Sequence, residues 1–264
     1  MEILTTNKLR DEIINSLKKH SFVNKILLLS KEPTEEVNHY KKVIIKRCKE
    51  FNIDYIDKEF FQETNEQILN FINSHDNKDG FIILAPFGDS VDLSILRKNI
   101  KLKDLDSFTY KSQGMIFDGL KEYLPATAKA VVRFMDSQNV DYKGKNIVIA
   151  NNTNIIGRPL TLYLATKRAS VRIINSLTKN PRSMIKNADI FISAIGKEEY
   201  YDKSYFKDGS LIIDVGTSYK NGKIVGDVDV DSIKDLDIKY LGSKNGIGSI
   251  TTITLVEGLI DKCQ

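Results

Sequence analysis

Apolar residues recur along this chain at two different spacings, and the spacings alternate. Leu9, Ile13, Ile14 and Leu17 fall at helical intervals and predict a helix over 9–19. The run 25–30 reads as a strand. Residues 34–51 return to a helical period, with Val37, Tyr40, Ile44 and Cys48 on one stripe. Next come a predicted strand at 53–56, a helix at 63–74, a buried strand at 80–86 and a helix at 91–99. After a loop through 103–110 a second series begins, with a helix at 126–137, a strand at 147–149, a helix at 157–166 and a strand at 171–174. A helix near 183–186, strands at 190–193 and 211–215, and a closing helix at 251–262 complete it. Strand and helix alternating in this way predict an α/β fold with parallel sheets built from βαβ units. No internal repeat interrupts the series, and Leu124-Pro125 marks the expected domain boundary.

Composition narrows the class. A chain of 264 residues, 41% hydrophobic and 28% charged, has room for two ordinary cores. The best apolar runs, 26–29 and 81–86, fall far short of the ~20 residues that span a bilayer, so no membrane is expected. The first residues, MEILTTNKLRDE, lack the basic-then-apolar pattern of a signal peptide. Cys48 and Cys263 have no metal spacing and suit a reducing cytoplasm, the expected location. The net charge of +4 is spread along the chain without a basic stripe or a reading motif, which argues against a nucleic-acid partner. A mild positive field still suits an anionic small molecule. His20, His39 and His75 have no partners at metal or triad spacing, and no metal is expected.

The stretch 144–159, GKNIVIANNTNIIGRP, carries the clearest chemistry. It joins a β-branched run to a polar turn and then to a helix starting near Gly157. This is the strand–loop–helix of a nucleotide-binding βαβ unit, where helix-end amides and the macrodipole hold a pyrophosphate. A dinucleotide loop normally puts glycine straight after the strand, because a side chain there obstructs the phosphate. Here Asn151 and Asn152 follow the strand.

With these elements in order, the chain resembles the bifunctional methylenetetrahydrofolate dehydrogenase/cyclohydrolase family over nearly its whole length. Asn38-His39-Tyr40 with Cys48 resembles the family's tyrosine-bearing folate helix, and 80–86 (GFIILAP) its "GILVQLP" strand. Residues 103–108 (KDLDSF) resemble "KDVDGF", Pro125-Ala126-Thr127 resembles "PCT", and 153–159 (TNIIGRP) resemble "SNIVGRP". Ser176-Leu177-Thr178 resembles "HSxT", and the run from Ala188-Asp189 to Lys197 resembles "ADIVIAAVGK". Asp214-Val215-Gly216, Gly226-Asp227-Val228, and Gly246-Ile247-Gly248 with Thr251 resemble "IDVGIN", "GDV" and the end of "PGGVGPMT".

The resemblance implies an N-terminal αβα folate-binding and catalytic domain over 1–124 and a Rossmann-like NAD(P)-binding domain over 125–250. The resemblance further implies a cleft between them and a closing helix, 251–264, that packs back on the first. It also implies a folate substrate, NADP or NAD as cofactor, and a homodimer. In the family a Lys four residues after the helix Tyr relays protons in the cyclohydrolase step, a Gln in the "VQLP" strand positions it, and an Asp binds the pterin edge. Counting from Tyr40, the Lys position falls on Ile44 and the Gln position on Leu84, while Asp106 keeps the acidic place. An isoleucine has no titratable group, so the relay is absent in this register. A gapless count from Pro33 would instead bring Lys42 to the catalytic position, at the cost of a break in the helix.

On the cofactor side the resemblance points to Asn151, Asn152, Thr153, Gly157, Arg158, Ser176 and Thr217. The family's loop Arg, which with the Ser of "HSxT" can take up the 2′-phosphate of NADP, is Asn152 here. An amide cannot make the charge-assisted contact of a guanidinium. Arg158 is open to two readings, a substitute for that arginine or an ordinary surface residue. The closing-loop prolines become Gly242, Lys244 and Asn245, which removes rigidity. Two functions follow: a dehydrogenase without cyclohydrolase activity, or a binding paralogue that has lost turnover.

Overall fold

The computed structural model describes residues 1–220 and 222–260, so Cys263 and the end of the predicted closing helix lie outside the described residues. In chain order the first elements are β1 (Glu2–Leu4), α1 (Asn7–Leu17), β2 (Ile26–Lys31), α2 (Glu35–Glu50), β3 (Tyr55–Phe60), α3 (Asn65–Asn73), β4 (Gly80–Ile83), α4 (Leu93–Asn99), β5 (Lys103–Asp104) and α5 (Tyr110–Phe117). They are followed by α6 (Ala126–Ser137), β6 (Asn146–Ala150), α7 (Gly157–Thr166), β7 (Ser170–Ile174), α8 (Pro181–Lys186), β8 (Ile190–Ser193), β9 (Leu211–Asp214), β10 (Ser218–Lys220), β11 (Lys223–Val225), β12 (Lys239–Leu241) and α9 (Gly248–Glu257). They form two compact units. One comprises Glu12–Ile116, Leu120–Ala126 and the chain from Thr252; the other comprises Met1–Asp11, Phe117–Gly119 and Thr127–Thr251. Among the described residues no helix is long and apolar enough to cross a membrane.

The unit holding residues 12–116 is built on a parallel sheet in the order β3-β2-β4-β5. Side chains alternate across it. Leu27, Leu29, Phe60 and Phe81 join Ile68 and Ile72 of α3 and Leu96 of α4 in one apolar cluster. The opposite face carries Leu28, Ser30, Asp57, Ile82 and Leu84, and is covered by α2. Helix α2 starts at Thr34, whose side chain accepts a hydrogen bond from the Val37 amide, and Glu35 and Glu36 favour that end of the dipole. Its buried residues are Val37, Lys41, Ile44 and Cys48, spaced to form one stripe. Lys41 pairs with Asp57 of β3 at 2.9 Å, which fixes the rotation of the helix on the sheet. The expected stripe put Tyr40 where Lys41 stands; Tyr40 lies at the margin, half-buried. A lysine on a buried face is legible only once its partner carboxylate is known.

The unit holding residues 127–251 is a six-stranded parallel sheet in the order β1-β12-β9-β8-β6-β7. Val148, Ala150, Ile174, Phe191, Ile212 and Tyr240 pack with Ile185 of α8 and Ile233 on one side. From β7 the chain crosses over β6 to lay down β8 on its other flank. The carboxyl end of β6 is therefore a topological switch point, the place where open α/β sheets bind ligands. Strand β1 adds in parallel beside β12, with Ile3 opposite Tyr240, and β10 pairs with β11 as a small antiparallel hairpin. None of β1, β10, β11, β12 and α5 was expected, because each is too short or too polar to show a period. Strand β3 runs to Phe60 rather than stopping at Ile56, since Asp57, Lys58 and Glu59 hide its alternation.

Asp57→Ala leaves Lys41 with its buried stem and no partner, and is expected to cost about 1–2 kcal/mol in chemical denaturation. Lys41→Met, which fills the same space without a charge, is expected to change stability by less than about 1 kcal/mol. Equal losses in both variants would mean the ion pair does not set the packing of α2.

Candidate functional site

On the first unit, Tyr40 and Asp106 come close enough for the carboxylate charge to act on the phenol. Burial first, and the Asp106 charge second, push the Tyr40 hydroxyl far above its usual range, so it stays protonated. It can act as a hydrogen-bond donor but not as a base. Asp106 is set by the loop that follows β5. Asp104 accepts hydrogen bonds from the amides of Phe108 at 3.0 Å and Thr109 at 2.7 Å, and from the Thr109 hydroxyl at 2.8 Å, which closes that loop into α5. Asp106 in turn accepts from the Ala126 amide at 2.7 Å, at the positive end of α6. The motif thus divides its labour: Asp104 folds the loop and Asp106 presents a carboxylate.

The place one helical turn beyond Tyr40 is Ile44, which is fully buried, and Leu84 beyond the end of β4 is buried too. Both belong to the apolar packing under α2, and neither has a titratable group. The alternative register for Lys42 required a break in the helix. Helix α2 has none, and Lys42 is exposed about 200° round the axis from Tyr40. Lys42 therefore does not share a face with Tyr40. Cys48, on the same stripe, is a buried free thiol that burial pushes up to about 11, which makes it unreactive.

On the second unit the loop after β6 is organised by Asn151. Its amide group donates to the Ala194 carbonyl at the end of β8 (2.7 Å). Its oxygen accepts from the Thr153 amide (2.9 Å), the Thr153 hydroxyl (2.7 Å) and the Gly157 amide (3.1 Å). The Thr153 hydroxyl also accepts from the Ile156 amide at 3.3 Å. Asn151 therefore caps the start of α7 from inside the loop, at the point where a phosphate oxygen is received in a glycine-led loop. Gly157 is required: a Cβ there would fall on the Asn151 backbone carbonyl. Arg158 donates to the side-chain oxygens of Asn152 (Nε, 3.2 Å) and Asn154 (Nη1, 3.5 Å). Ser176 and Thr217 are exposed beyond β7 and β9. A switch point, a close-approach glycine and an uncharged loop carrying a guanidinium fit a dinucleotide.

Two buried carboxylates behind this loop were not read from the sequence, although their motifs were noted. Asp227 accepts from the Ser193 hydroxyl (2.5 Å) and the amides of Ile195 and Lys197 (2.8 Å each). Asp214 accepts from the amides of Gly216 (3.1 Å), Asp227 (3.0 Å) and Val228 (2.9 Å), and from the Tyr240 hydroxyl (3.3 Å). Neither is exposed at all. Burial pushes the Asp214 carboxyl up to about 6. The amides of Asp227 and Val228 oppose the shift, and the nearby Asp227 charge adds to it.

Residues 125–264 match the family model described as tetrahydrofolate dehydrogenase/cyclohydrolase, NAD(P)-binding domain. The bifunctional protein FolD of Clostridium beijerinckii is 38% identical over 198 residues, 74% of this chain and 70% of that one. The FolD protein of Clostridium botulinum strain 657 is 30% identical over 258 residues, 95% of this chain and 92% of that one. The crystal structure of the bifunctional FolD methylenetetrahydrofolate dehydrogenase/cyclohydrolase from Campylobacter jejuni superposes with a TM-score of 0.90 at 27% identity, covering 98% and 97% of the two chains.

The Asp214 carboxyl holds its proton more tightly in the folded chain than in the unfolded one. The stability it contributes is present below its ordinary pKa near 3.8 and is lost as pH rises through about 6. Carbon-detected NMR of the carboxyl, assigned with Asp214→Asn, is expected to give a midpoint near 6. A midpoint near 4 would contradict the burial argument.

Proposed function

The chain belongs to the tetrahydrofolate dehydrogenase/cyclohydrolase family, and from its own residues we propose that it is an NAD(P)-dependent 5,10-methylenetetrahydrofolate dehydrogenase that lacks the cyclohydrolase step. The observation that carries the reading is the unbroken register of α2. It holds Ile44 in the buried stripe one turn after Tyr40, with Leu84 as the second apolar replacement. Hydrolysis of the methenyl product needs a group that moves a proton near the reacting carbon, and neither residue can. Hydride transfer depends on positioning and on the cofactor's own chemistry, and survives that loss.

NAD or NADP held on the switch-point loops would supply a hydride acceptor for the methylene carbon of the folate. On the folate side Tyr40 offers a protonated hydroxyl and an aromatic face, and Asp106 offers a carboxylate to the N–H groups of the pterin edge. On the cofactor side Thr153, Gly157, Arg158, Ser176 and Thr217 line the switch-point loops, and Asn151 and Asn152 hold those loops in shape. The reading includes a homodimer, as the family implies, and a reducing cytoplasm, which suits the free Cys48 thiol.

A second reading, a binding paralogue without turnover, draws on the Asn151 oxygen, which already occupies the Gly157 amide. One experiment separates the two. Purified protein is mixed with 5,10-methylenetetrahydrofolate and NAD or NADP, and reduced nicotinamide and methenyl product are followed together. Reduced cofactor with methenyl product accumulating in equal amount is expected. Folded protein that yields neither product with either cofactor would overturn the dehydrogenase reading in favour of the paralogue.

A further inference from the structure

We infer that Thr6, at the far end of the chain from the loop between β12 and α9, is a positioning residue that acts through that loop on the nicotinamide end of a bound dinucleotide. This inference rests on the dinucleotide reading of the switch-point loop. Its test reads binding alone and needs neither folate nor turnover.

The loop 242–247 reads GSKNGI. It has two glycines and no proline, so its own sequence does little to restrict it, and ordering it costs more entropy than ordering an average loop. Its conformation is also a demanding one. Asn245 adopts a φ of 54°, and Gly246 lies so near the Gly242 carbonyl that a Cβ there would strike it. Bonding inside the loop is slight, with the Gly246 amide 3.4 Å from the Ser243 carbonyl. The order comes from the start of the chain. Strand β1 runs beside β12 with Leu4 opposite Leu241, and two residues on Thr6 draws level with Ser243. The Thr6 amide donates to the Asn245 carbonyl at 3.0 Å. The Thr6 hydroxyl lies 2.8 Å from that carbonyl, 3.1 Å from the Gly246 carbonyl and 2.6 Å from the Ser249 hydroxyl. Ser249 in turn donates to the Gly246 carbonyl, from its hydroxyl at 2.8 Å and its amide at 3.1 Å.

Thr6 uses its side chain in an uncommon way. Its carbonyl accepts from the Arg10 amide at 2.8 Å, the first bond of α1, so it stands at the N-cap of that helix. A threonine there ordinarily accepts from a helix amide. Here the hydroxyl binds the loop and is fully buried. The place of the loop gives this clasp its consequence. A dinucleotide lies across the switch point of a doubly wound sheet with one nucleoside on each half, and the first strand–helix–strand takes the adenosine. In this unit that half is β6, α7 and β7, which leaves the nicotinamide to the carboxyl ends of β8, β9 and β12. Loop 242–247 is the chain that leaves β12, and Lys244 and Asn245 at its tip are exposed. A wall that is ordered beforehand spares the ligand the cost of ordering it, and Thr6 supplies that order.

The test is calorimetric binding of NAD and NADP beside ADP-ribose and its 2′-phosphate, which lack only the nicotinamide ring. Thr6→Val keeps the shape of the side chain and removes the hydroxyl. It is expected to weaken the tighter-binding dinucleotide roughly 5- to 30-fold, the effect of one or two lost hydrogen bonds, and to leave the matching ADP-ribose compound unchanged. Thr6→Ser restores the hydroxyl and is expected to bind both as the wild type does. Ser249→Ala, which removes the neighbouring hydroxyl and leaves Thr6 in place, is expected to shift the ratio in the same direction, and it carries the test if Thr6→Val melts early. Dinucleotide binding unaltered in both Thr6→Val and Ser249→Ala would overturn the assignment. Equal weakening of dinucleotide and ADP-ribose would also overturn it, by making Thr6 a general support of the unit, as would a Thr6→Ser variant as weak as Thr6→Val. A wild-type protein that binds none of the four compounds would overturn the dinucleotide reading as well. Methylenetetrahydrofolate oxidation that is absent while the selective loss persists would leave this inference standing and remove only the dehydrogenase.

Discussion

Two carboxylates that never meet solvent hold the nucleotide-binding unit together at its working end. Asp214 and Asp227 sit where β8 and β9 finish, and between them they accept hydrogen bonds from five backbone amides and two hydroxyls. An unpaired buried amide costs about 1–3 kcal/mol, so the irregular chain beyond those strands could not stay buried without these acceptors. The geometry leaves no room for anything else. A Cβ on Gly216 would strike Asp227, and one on Gly226 would strike Asp214. Through Ile195 and Lys197 the Asp227 carboxylate fixes the loop whose Ala194 carbonyl receives Asn151, and Asn151 in turn shapes the start of α7. The exposed loop residues of the cofactor site are thus placed from behind by a network with no direct part in binding.

The unit holding residues 12–116 shows a different economy of residues. Its sheet face under α2 carries Leu28, Ile82 and Leu84 beside Ser30 and the Lys41-paired Asp57, and in the proposed reading Ile44 and Leu84 stand where the family has its relay. Ile44 and Leu84 contribute packing, each worth roughly 1.5–3 kcal/mol when buried, in place of an amine and an amide that would need partners. The one lysine on the buried stripe, Lys41, points to Asp57 and serves the helix's orientation. Tyr40 and Asp106 remain, and the tyrosine is held neutral beside the acid. In the proposed reading this arrangement grips a ligand and leaves proton traffic to solvent.

Much of this was legible in the sequence, and the exceptions have physical causes. The helices at 126–137 and 157–166 and the strand at 190–193 match their observed limits, because each is a long enough run of one period bounded by turn residues. The short strands β1 and β12 owe their existence to partners far along the chain, which no local pattern reports, and β10 and β11 form a hairpin of three residues a side, too short to show a period. Ser107 stands where the resembled motif has glycine and adopts a φ of 59°, a strain visible only in three dimensions. Asn151 looked like an obstruction; its real work, bridging two strand ends and a helix start, required knowing which amides lay within reach. The motifs around Asp214 and Asp227 were visible as motifs, but their role is a tertiary one.

The claim on which the account turns is that α2 has exchanged a proton relay for core packing. The direct measurement is the decay of 5,10-methenyltetrahydrofolate supplied to the protein without nicotinamide, compared with Ile44→Lys/Leu84→Gln and with buffer. The account predicts that the wild-type protein hydrolyses it no faster than buffer, and that the double variant, checked for folding, hydrolyses it faster. Hydrolysis by the wild-type protein above the buffer rate would contradict the account, because it would require a proton-moving group that this register of α2 does not provide.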